Sequence, residues 1–206
     1  MTAKAKRERT VRRAQLVDLA CRLFGENGYE RTTVADILAA ADISKGGFYH
    51  HFESKDDIFA ACVERIATEL ATNYIAALED TAKSPRQRIE TYIHMGYDAP
   101  RPPGHSAIVH DLHAHPDREL HDRVLHDARQ RVLPAFTRTI THGVRTGDFT
   151  IDGDAEVTAV AVLGMLATIH EHFADTPDAT ERVPPELTVI LVERLLGADT
   201  ADGSRP

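Results

Sequence analysis

The chain lacks tryptophan, has only two cysteines among its 206 residues, and is poor in aromatic side chains, at 6%. Because proteins that hold single-stranded nucleic acid stack its bases on aromatic rings, this composition argues against that class. No run of about 18 apolar residues is present, which argues against a membrane-spanning helix. The basic N-terminus is not followed by the apolar segment of a secretory signal. We therefore expect a cytoplasmic protein that has no membrane partner.

The motifs of common enzymes are also missing. The sequence has no nucleophile elbow, no phosphate-cradling glycine loop and no dinucleotide fingerprint. Cys21 and Cys62 lack both CxxC and metal-ligand spacing, so we expect reduced thiols that fill space in the core. A thiol sensor is the alternative for these residues. We predict no enzymatic activity and no cofactor.

Charge is unevenly distributed along the chain. The formal net charge is -8, which alone argues against binding to nucleic acid. Residues 1–55, however, contain ten Lys or Arg against seven Asp or Glu, whereas the remainder contains 14 against 25. The basic end is therefore the candidate for contact with double-stranded DNA, and the acidic remainder limits nonspecific binding. Within the basic end, residues 1–8 are either an arm that reaches phosphates or the minor groove, or a solvated tail.

A helix-turn-helix pattern occupies residues 28–55. Thr33 and Ser44 have the character of N-caps, and each precedes a short helix. Phe48 and Phe52 lie one helical turn apart and give the second of these helices a buried back. Its front is suited to a phosphate-lined groove. The candidate DNA contacts are Thr33, Ser44, Lys45, Gly46, Gly47, Tyr49, His50, His51 and Lys55.

The residue types on this front suggest separate roles. Lys45 is a cation at the helix start, Tyr49 and His51 can donate to phosphate oxygens, and His50 can reach base edges. Two glycines in a helix are unusual, because each is about 1 kcal/mol less favourable than alanine. Either the backbone approaches DNA closely at these two positions, or glycine is tolerated there because it lies in a first turn.

A set of residues at fixed spacing carries a resemblance to a known family: Gly28, Tyr29, Thr32, Thr33, Val34, Ile37, Ala41, Ile43, Ser44, Lys45, Gly46, Tyr49, His51, Phe52, Ser54 and Lys55. The chain resembles the TetR family of bacterial transcriptional regulators over roughly residues 10–66. Asp42 departs from the family, which usually has glycine in this turn. Since Asp tolerates left-handed geometry better than most residues, we expect the turn to form. The resemblance implies a ligand-responsive regulator, most simply a repressor, that binds a palindromic operator.

Apolar residues at helical spacing continue through the rest of the chain, with breaks at residues 99–104 and 115–117. The predicted fold class is therefore all-α. An N-terminal arm and three-helix helix-turn-helix domain occupies residues 1–54. A helical ligand-binding and dimerisation domain follows over residues 55–206, and a long helix from residue 55 links the two. Helices are predicted at 55–80, 84–97, around 108–112, from after 117 to 146, at 154–173 and at 184–196.

The last two predicted helices carry more apolar surface than one short body needs, and their small residues permit close helix approach. The alternative is that they complete the core of the monomer. The family resemblance implies that they pair with their mates as a four-helix bundle. The resulting homodimer reads two half-sites about one DNA turn apart. The candidate interface residues are Val160, Leu163, Gly164, Ala167, Leu187, Leu191 and Leu195.

Six of the twelve histidines fall between His105 and His126. His110 and His113 are one helical turn apart, which suits a shared metal ion, and His105 is a further weak candidate. A metal-sensing repressor that uses segment 105–126 is therefore an alternative, and a metal-dependent phosphohydrolase is a distant one. Without metal, these histidines are solvated on helix faces or belong to an effector pocket.

The resemblance also implies a small-molecule effector that binds among the C-terminal helices. A mostly apolar lining with a few polar groups suits a hydrophobic or aromatic compound. The family resemblance implies that the effector shifts the helix after the proline-rich break, pushes the long fourth helix and moves the two recognition helices off their one-turn spacing. The candidate lining residues are Ile89, Tyr92, Ile93, Tyr97, Val109, Leu112, His113, Phe136 and Met165.

Overall fold

The computed structural model describes residues 3–98, 104–173 and 182–198, and every regular element in these ranges is a helix. The all-α fold class is therefore confirmed, and the helices starting at residues 55, 85, 155 and 185 begin and end within one residue of the prediction. The proline-rich break lies outside the described residues except for Gly104. In chain order the helices are α1 (Ala3–Asn27), α2 (Val34–Ala41), α3 (Lys45–Tyr49), α4 (Lys55–Glu79), α5 (Pro85–Asp98), α6 (His105–Ala114), α7 (Arg118–Thr146), α8 (Ala155–Phe173) and α9 (Pro185–Leu195).

Helix α1 begins earlier than expected. Residues 3–8 form the first turns of this helix. The interpretation of residues 1–8 as a solvated tail is therefore wrong for residues 3–8, whereas the contact of this basic segment with DNA stays a prediction. The physical reason for the helix is intrinsic propensity, because Ala, Lys, Arg and Glu, which fill most of this segment, are strong helix formers. None of the described helices is long and apolar enough to cross a membrane.

Local capping sets the turns of the helix-turn-helix. Gly28 closes α1 with a φ of 82°, and its N–H donates to the Phe24 carbonyl oxygen at 2.8 Å. Thr33 and Asp36 form a reciprocal capping box at the start of α2. Asp42 follows α2 with a φ of 49°, so the left-handed turn predicted without glycine is confirmed.

The described residues group into two compact units. The first unit comprises residues 3–69 and 104–126, and the second comprises 70–98, 127–173 and 182–198. Helices α4 and α7 each contribute residues to both units. The predicted functional boundary between residues 54 and 55 follows the sequence rather than these contacts, and it stays a prediction.

Aromatic side chains fill the core of the first unit. Phe24 of α1 and Phe59 of α4 are both 0% exposed, and their rings meet edge to face with centroids 5.3 Å apart. Phe48 of α3 packs into the same unit at 0% exposure. Helix α1 also contacts α2 and α6. The short helix-turn-helix elements are therefore held by a core that α1, α4 and α6 help to build.

The second unit has a separate apolar core around Phe136 and Ile140 of α7, both 0% exposed. The ring of Phe149 packs against Gly143, where an added Cβ would lie only 2.1 Å from a ring carbon. Beyond α7 the chain is tied to the end of α9, because the Thr150 N–H donates to the Leu196 carbonyl oxygen at 2.9 Å.

Candidate nucleic-acid interface and effector region

Helix α3 presents one polar face to solvent. Ser44 caps it by accepting the Gly47 N–H at 3.2 Å. Phe48 and Phe52, at 0% and 1% exposure, fix its back against the core. Tyr49 is consequently 47% exposed. We call the exposed set Ser44, Lys45, Gly46, Tyr49 and His50 the reading face.

Neither glycine of α3 is required by its surroundings within the protein. A Cβ added at Gly46 would approach no atom closer than the Ser44 hydroxyl at 4.0 Å, and one at Gly47 would lie 3.5 Å from the same oxygen. Both distances are compatible with ordinary van der Waals contact, and neither glycine has a positive φ. The contacts within the chain thus give no reason to prefer glycine over alanine here.

Arginines of α1 organise the ends of the two short helices. Arg9 donates to the His50 carbonyl oxygen at 3.3 Å, at the end of α3. Arg12 donates to the Ala41 carbonyl oxygen at 3.4 Å, at the end of α2. A cation at a helix C-terminus satisfies orphan carbonyls and complements the helix dipole. The basic start of the chain therefore positions the reading face, and its exposed arginines keep donors free for phosphate.

His51 lies in a positive environment. Burial lowers the pKa of its imidazole, and the charges of His50, Arg9, Arg13 and Arg12 lower it further. Its Nδ1 is buried and has no hydrogen-bond partner among the described residues. The lowered pKa favours the neutral imidazole, which retains one N–H donor, and the predicted phosphate contact of His51 stays a prediction.

Tyr29, in the loop before α2, gathers several contacts in the first unit. Its ring centroid lies 4.6 Å from that of Phe59. Its hydroxyl donates to Asp56, and burial followed by this carboxylate raises the pKa of the phenol. The Lys55 Nζ lies 3.9 Å above the ring and donates to the Tyr29 carbonyl oxygen at 3.1 Å. Lys55 thus supports this loop, and its predicted phosphate contact must use the remaining donors of its ammonium group.

Helix α6 is fastened to the same loop. The Tyr29 N–H donates to Asp111 Oδ2 at 2.7 Å. Gly104, just before α6, touches Gly25 of α1 so closely that a Cβ on Gly25 would lie 2.6 Å from the Gly104 Cα. His115, just after α6, stacks on Phe59 with ring centroids 5.4 Å apart. A displacement of α6 would therefore disturb the loop that leads into α2.

The predicted effector-lining residues fall into two groups. Six of them belong to the core of the second unit: Ile89, Tyr92, Ile93, Tyr97, Phe136 and Met165. Val109, Leu112 and His113 lie on α6 in the first unit.

The six residues in the second unit are packed closely. Tyr92 lies between Tyr74 and Phe136, with ring centroids at 4.8 and 5.3 Å, and burial raises the pKa of its phenol. The Tyr97 hydroxyl is 2.7 Å from the Thr188 hydroxyl oxygen. A cavity next to Ile89 and Ile93 has a volume of about 10 Å³, which is room for about one water molecule. This cavity is too small for an organic molecule of ordinary ligand size.

Exposed apolar side chains are concentrated on α8 and α9. Five of the eight large apolar residues recorded as exposed in the described chain lie there: Val157, Val160, Leu187, Ile190 and Leu195. Of the candidate interface residues, Gly164, Ala167 and Leu191 are half-buried, and a Cβ on Gly164 would meet nothing within 4 Å. Leu163, at 5% exposure, belongs to the core of the second unit.

The histidine segment does not assemble a metal site in the described part of the chain. No group of three or more His, Cys, Asp or Glu residues there is placed to hold a metal ion. His110 is exposed, and the His113 Nδ1 lies 2.7 Å from the Val109 carbonyl oxygen of its own helix. His105 lies 4.0 Å from a Glu69 carboxylate oxygen, and burial lowers the pKa of its imidazole. The metal-sensing alternative therefore lacks a ligand set among these residues.

Comparisons with known proteins agree with this arrangement. Residues 16–62 match the family model described as bacterial regulatory proteins, tetR family. The HTH-type transcriptional repressor KstR2 of Rhodococcus jostii (strain RHA1) is 30% identical over 148 residues, which cover 71% of this chain and 72% of that protein. The HTH-type transcriptional repressor DhaR of Mycobacterium sp. (strain GP1) is 37% identical over 84 residues, covering 41% of this chain and 42% of that protein. The crystal structure of a TetR-family transcriptional regulator from Pectobacterium atrosepticum has a TM-score of 0.68 at 28% identity, covering 95% of this chain and 96% of that chain.

Proposed function

Because this chain belongs to the tetR family of bacterial regulatory proteins, we propose that it is a ligand-responsive repressor that binds a palindromic DNA operator as a homodimer in the cytoplasm. The observation that carries the proposal is the reading face, where exposed Lys45 and Tyr49 stand on a helix whose back is buried. Repression rather than activation is supported by KstR2 and DhaR, which are both named as repressors.

The homodimer is supported by the apolar surface of α8 and α9. Val157 and Val160 are 69% and 54% exposed in the single chain. A second copy related by a two-fold axis would bury this surface against itself. The same symmetry would present two reading faces to the two halves of a palindrome.

The effector is proposed to be a small hydrophobic or aromatic molecule that enters the core of the second unit. That core is apolar, and its hydroxyl groups on Tyr92, Tyr97 and Thr188 supply polar contacts. Since the cavity beside Ile89 and Ile93 is too small for such a molecule, binding in this core would have to repack it. The repacking would reach the first unit along α4, which contributes residues to both units.

DNA binding through the reading face is tested by Tyr49→Ala. We expect operator affinity to fall by roughly 1–2 kcal/mol, because a phosphate contact is lost from an exposed side chain that the fold does not need. The measurement is fluorescence anisotropy with a palindrome from the DNA upstream of the gene. Tyr49→Phe removes only the hydroxyl that donates to phosphate, so it should show most of the same loss while keeping the ring. Full-strength binding by a folded Tyr49→Ala protein would contradict the proposed docking of α3.

The effector proposal is tested by thermal unfolding in the presence of small aromatic compounds. A compound that binds the folded protein must raise its Tm, and by reciprocity it must also weaken operator binding. A compound that raises the Tm and leaves operator affinity unchanged would not be the effector. Stabilisation and operator release by a divalent metal alone would favour the metal-sensing alternative instead.

A further inference from the structure

Cys21 of α1 and Cys62 of α4 form a thiol pair in the first unit. The Cys62 Sγ donates to the Val17 carbonyl oxygen at 3.5 Å. In an α-helix that oxygen also accepts the N–H of the residue four positions later, which is Cys21. Cys62 thus lies against the turn of α1 that runs from Val17 to Cys21, close enough for the two thiols to affect each other's ionisation. Both cysteines are free thiols.

Arg65 completes the cluster from α4. Its Nη1 pairs with Asp18 Oδ1 at 2.9 Å. Its Nε is buried and lacks a partner of good geometry among the described atoms, while its guanidinium interacts with the Cys21 side chain. A buried N–H that lacks an acceptor is unfavourable by about 1–3 kcal/mol. A thiolate at Cys21 would supply both the acceptor and the opposite charge.

The surroundings make the two thiols chemically different. The neighbouring Cys62 thiol lowers the pKa of Cys21, and the charge of Arg65 also lowers it, against the opposing effect of burial. Burial raises the pKa of Cys62, so this residue keeps its proton. Because the thiolate is the reactive form of cysteine, these surroundings favour Cys21 over Cys62 as the nucleophile. Cys21 is also the more accessible of the two, at 5% exposure against 0% for Cys62.

We propose that Cys21 and Cys62 are a peroxide-reactive pair that closes to a disulfide between α1 and α4, with Arg65 holding the attacking thiolate. The Cys21 thiolate attacks one peroxide oxygen, the O–O bond breaks, and the released hydroxide takes a proton to become water. The product is a sulfenic acid on Cys21. The Cys62 sulfur then attacks the Cys21 sulfur, and its proton leaves with the displaced hydroxide as a second water. Two thiols are oxidised and one peroxide is reduced.

The disulfide would form within the unit that carries the helix-turn-helix. Helix α1 carries Arg9 and Arg12, which hold the ends of α3 and α2. A disulfide bond is about 2.05 Å long, which is shorter than the separation of two thiols in van der Waals contact. Closing it therefore draws α1 and α4 together in the unit that carries the reading face.

The chemistry is tested on the full chain without DNA, so its outcome is independent of the proposed repressor function. The purified, reduced protein is treated with hydrogen peroxide, and free thiols are then counted after denaturation. We expect both thiols to disappear together, the mass to fall by that of two hydrogen atoms, and dithiothreitol to restore both. Trypsin should release the peptides spanning residues 14–22 and 56–65 as one cross-linked species. Thiols that persist, or a disulfide that joins two copies of the chain, would overturn the proposal.

Substitutions assign the roles. Cys62→Ser should trap a sulfenic acid on Cys21 that dimedone labels, whereas Cys21→Ser should leave Cys62 unreactive. Arg65→Gln should slow oxidation at neutral pH by roughly threefold or more, because the rate follows the thiolate fraction. Arg138→Gln is the matched control, since it makes the same change of charge at an ion pair with Glu79 in the second unit. If either cysteine variant fails to fold, the two arginine variants still test the role of Arg65. Equal oxidation rates in Arg65→Gln and Arg138→Gln would refute that role.

Discussion

Gly46 is the position where stability and DNA binding are expected to change in opposite directions. It lies in the first turn of α3 on the exposed reading face, and a Cβ there would meet nothing closer than the Ser44 hydroxyl at 4.0 Å. Gly46→Ala therefore introduces no clash within the protein. If glycine is present because the backbone approaches DNA, the added methyl group must clash with DNA alone.

The expected changes in protein stability and in operator affinity follow from general values. Replacing glycine by alanine at a compatible helical position stabilises a protein by about 0.4–1 kcal/mol, chiefly because the unfolded chain loses freedom. For a chain of this size that corresponds to a rise in Tm of roughly 1–4 °C. On DNA, displacing one backbone–phosphate contact should weaken binding about tenfold, which is about 1.4 kcal/mol.

The assay compares Tm by calorimetry with operator affinity by anisotropy, at one salt concentration because phosphate contacts depend on salt. Gly96→Ala is the matched control, since Gly96 lies inside α5 in the second unit and its added Cβ would meet only the Tyr74 hydroxyl at 4.0 Å. It should raise the Tm and leave operator affinity unchanged. A Gly46→Ala protein that is more stable and binds the operator with full affinity would refute close backbone approach. A less stable one would show that the glycine has a role within the fold.

Three further predictions follow from the geometry. Val160→Asp should give monomers in sedimentation, because the dimer would bury an unpaired charge at a cost of several kcal/mol. As a control, Val144→Asp should stay dimeric, since this side chain of α7 is 43% exposed. A dimeric Val160→Asp protein would exclude the proposed interface. A DNA phosphate should raise the lowered pKa of His51, so operator binding takes up a proton. Operator affinity should therefore increase as the pH falls from about 8 to about 6. His51→Gln should remove this increase in affinity, whereas an increase lost only in His50→Gln would assign the proton to His50. Asp111→Ala leaves the Tyr29 N–H without its acceptor and should lower the free energy of unfolding by about 1–3 kcal/mol in a urea titration. Asp111→Asn retains an acceptor and should lose less stability. Equal losses in the two variants would contradict the hydrogen bond between Asp111 and the Tyr29 N–H.

The local chemistry of the helix-turn-helix was predictable because it depends on neighbouring residues. The N-caps Thr33 and Ser44 and the left-handed Asp42 were read from sequence, and the structure confirms each of them. Capping involves residues two or three positions apart, so it leaves a signature in a short segment. The start of α1 has no such signature in the sequence, because a polar helical segment without apolar periodicity looks the same as a solvated tail.

Contacts between distant segments could not be predicted in this way. Tyr29 and Asp111 are 82 residues apart, and nothing in their local sequences pairs them. The effector residues show a related limit. Helical periodicity indicates that a face is buried but not against which partner. Residues predicted to line one site, such as Ile93 and Val109, therefore lie in different units. The identity of an effector would depend on the shape of the cavity that its binding opens in the core of the second unit.

In the first unit, side chains from distant parts of the chain form polar contacts with backbone atoms near the ends of two short helices. The shortness of these helices explains the need for such contacts. Helices α2 and α3 have 8 and 5 residues, well below the roughly 12–15 that an isolated helix needs to be even marginally stable in water. Their ends must therefore be held from outside, and Arg9 and Arg12 of α1 do this at the carbonyl ends of both helices. At the other end of α2, Asp111 of α6 holds the preceding loop. The position of the reading face is consequently set by side chains of other helices, which is what a regulator requires if an event elsewhere in the chain is to change its affinity for DNA.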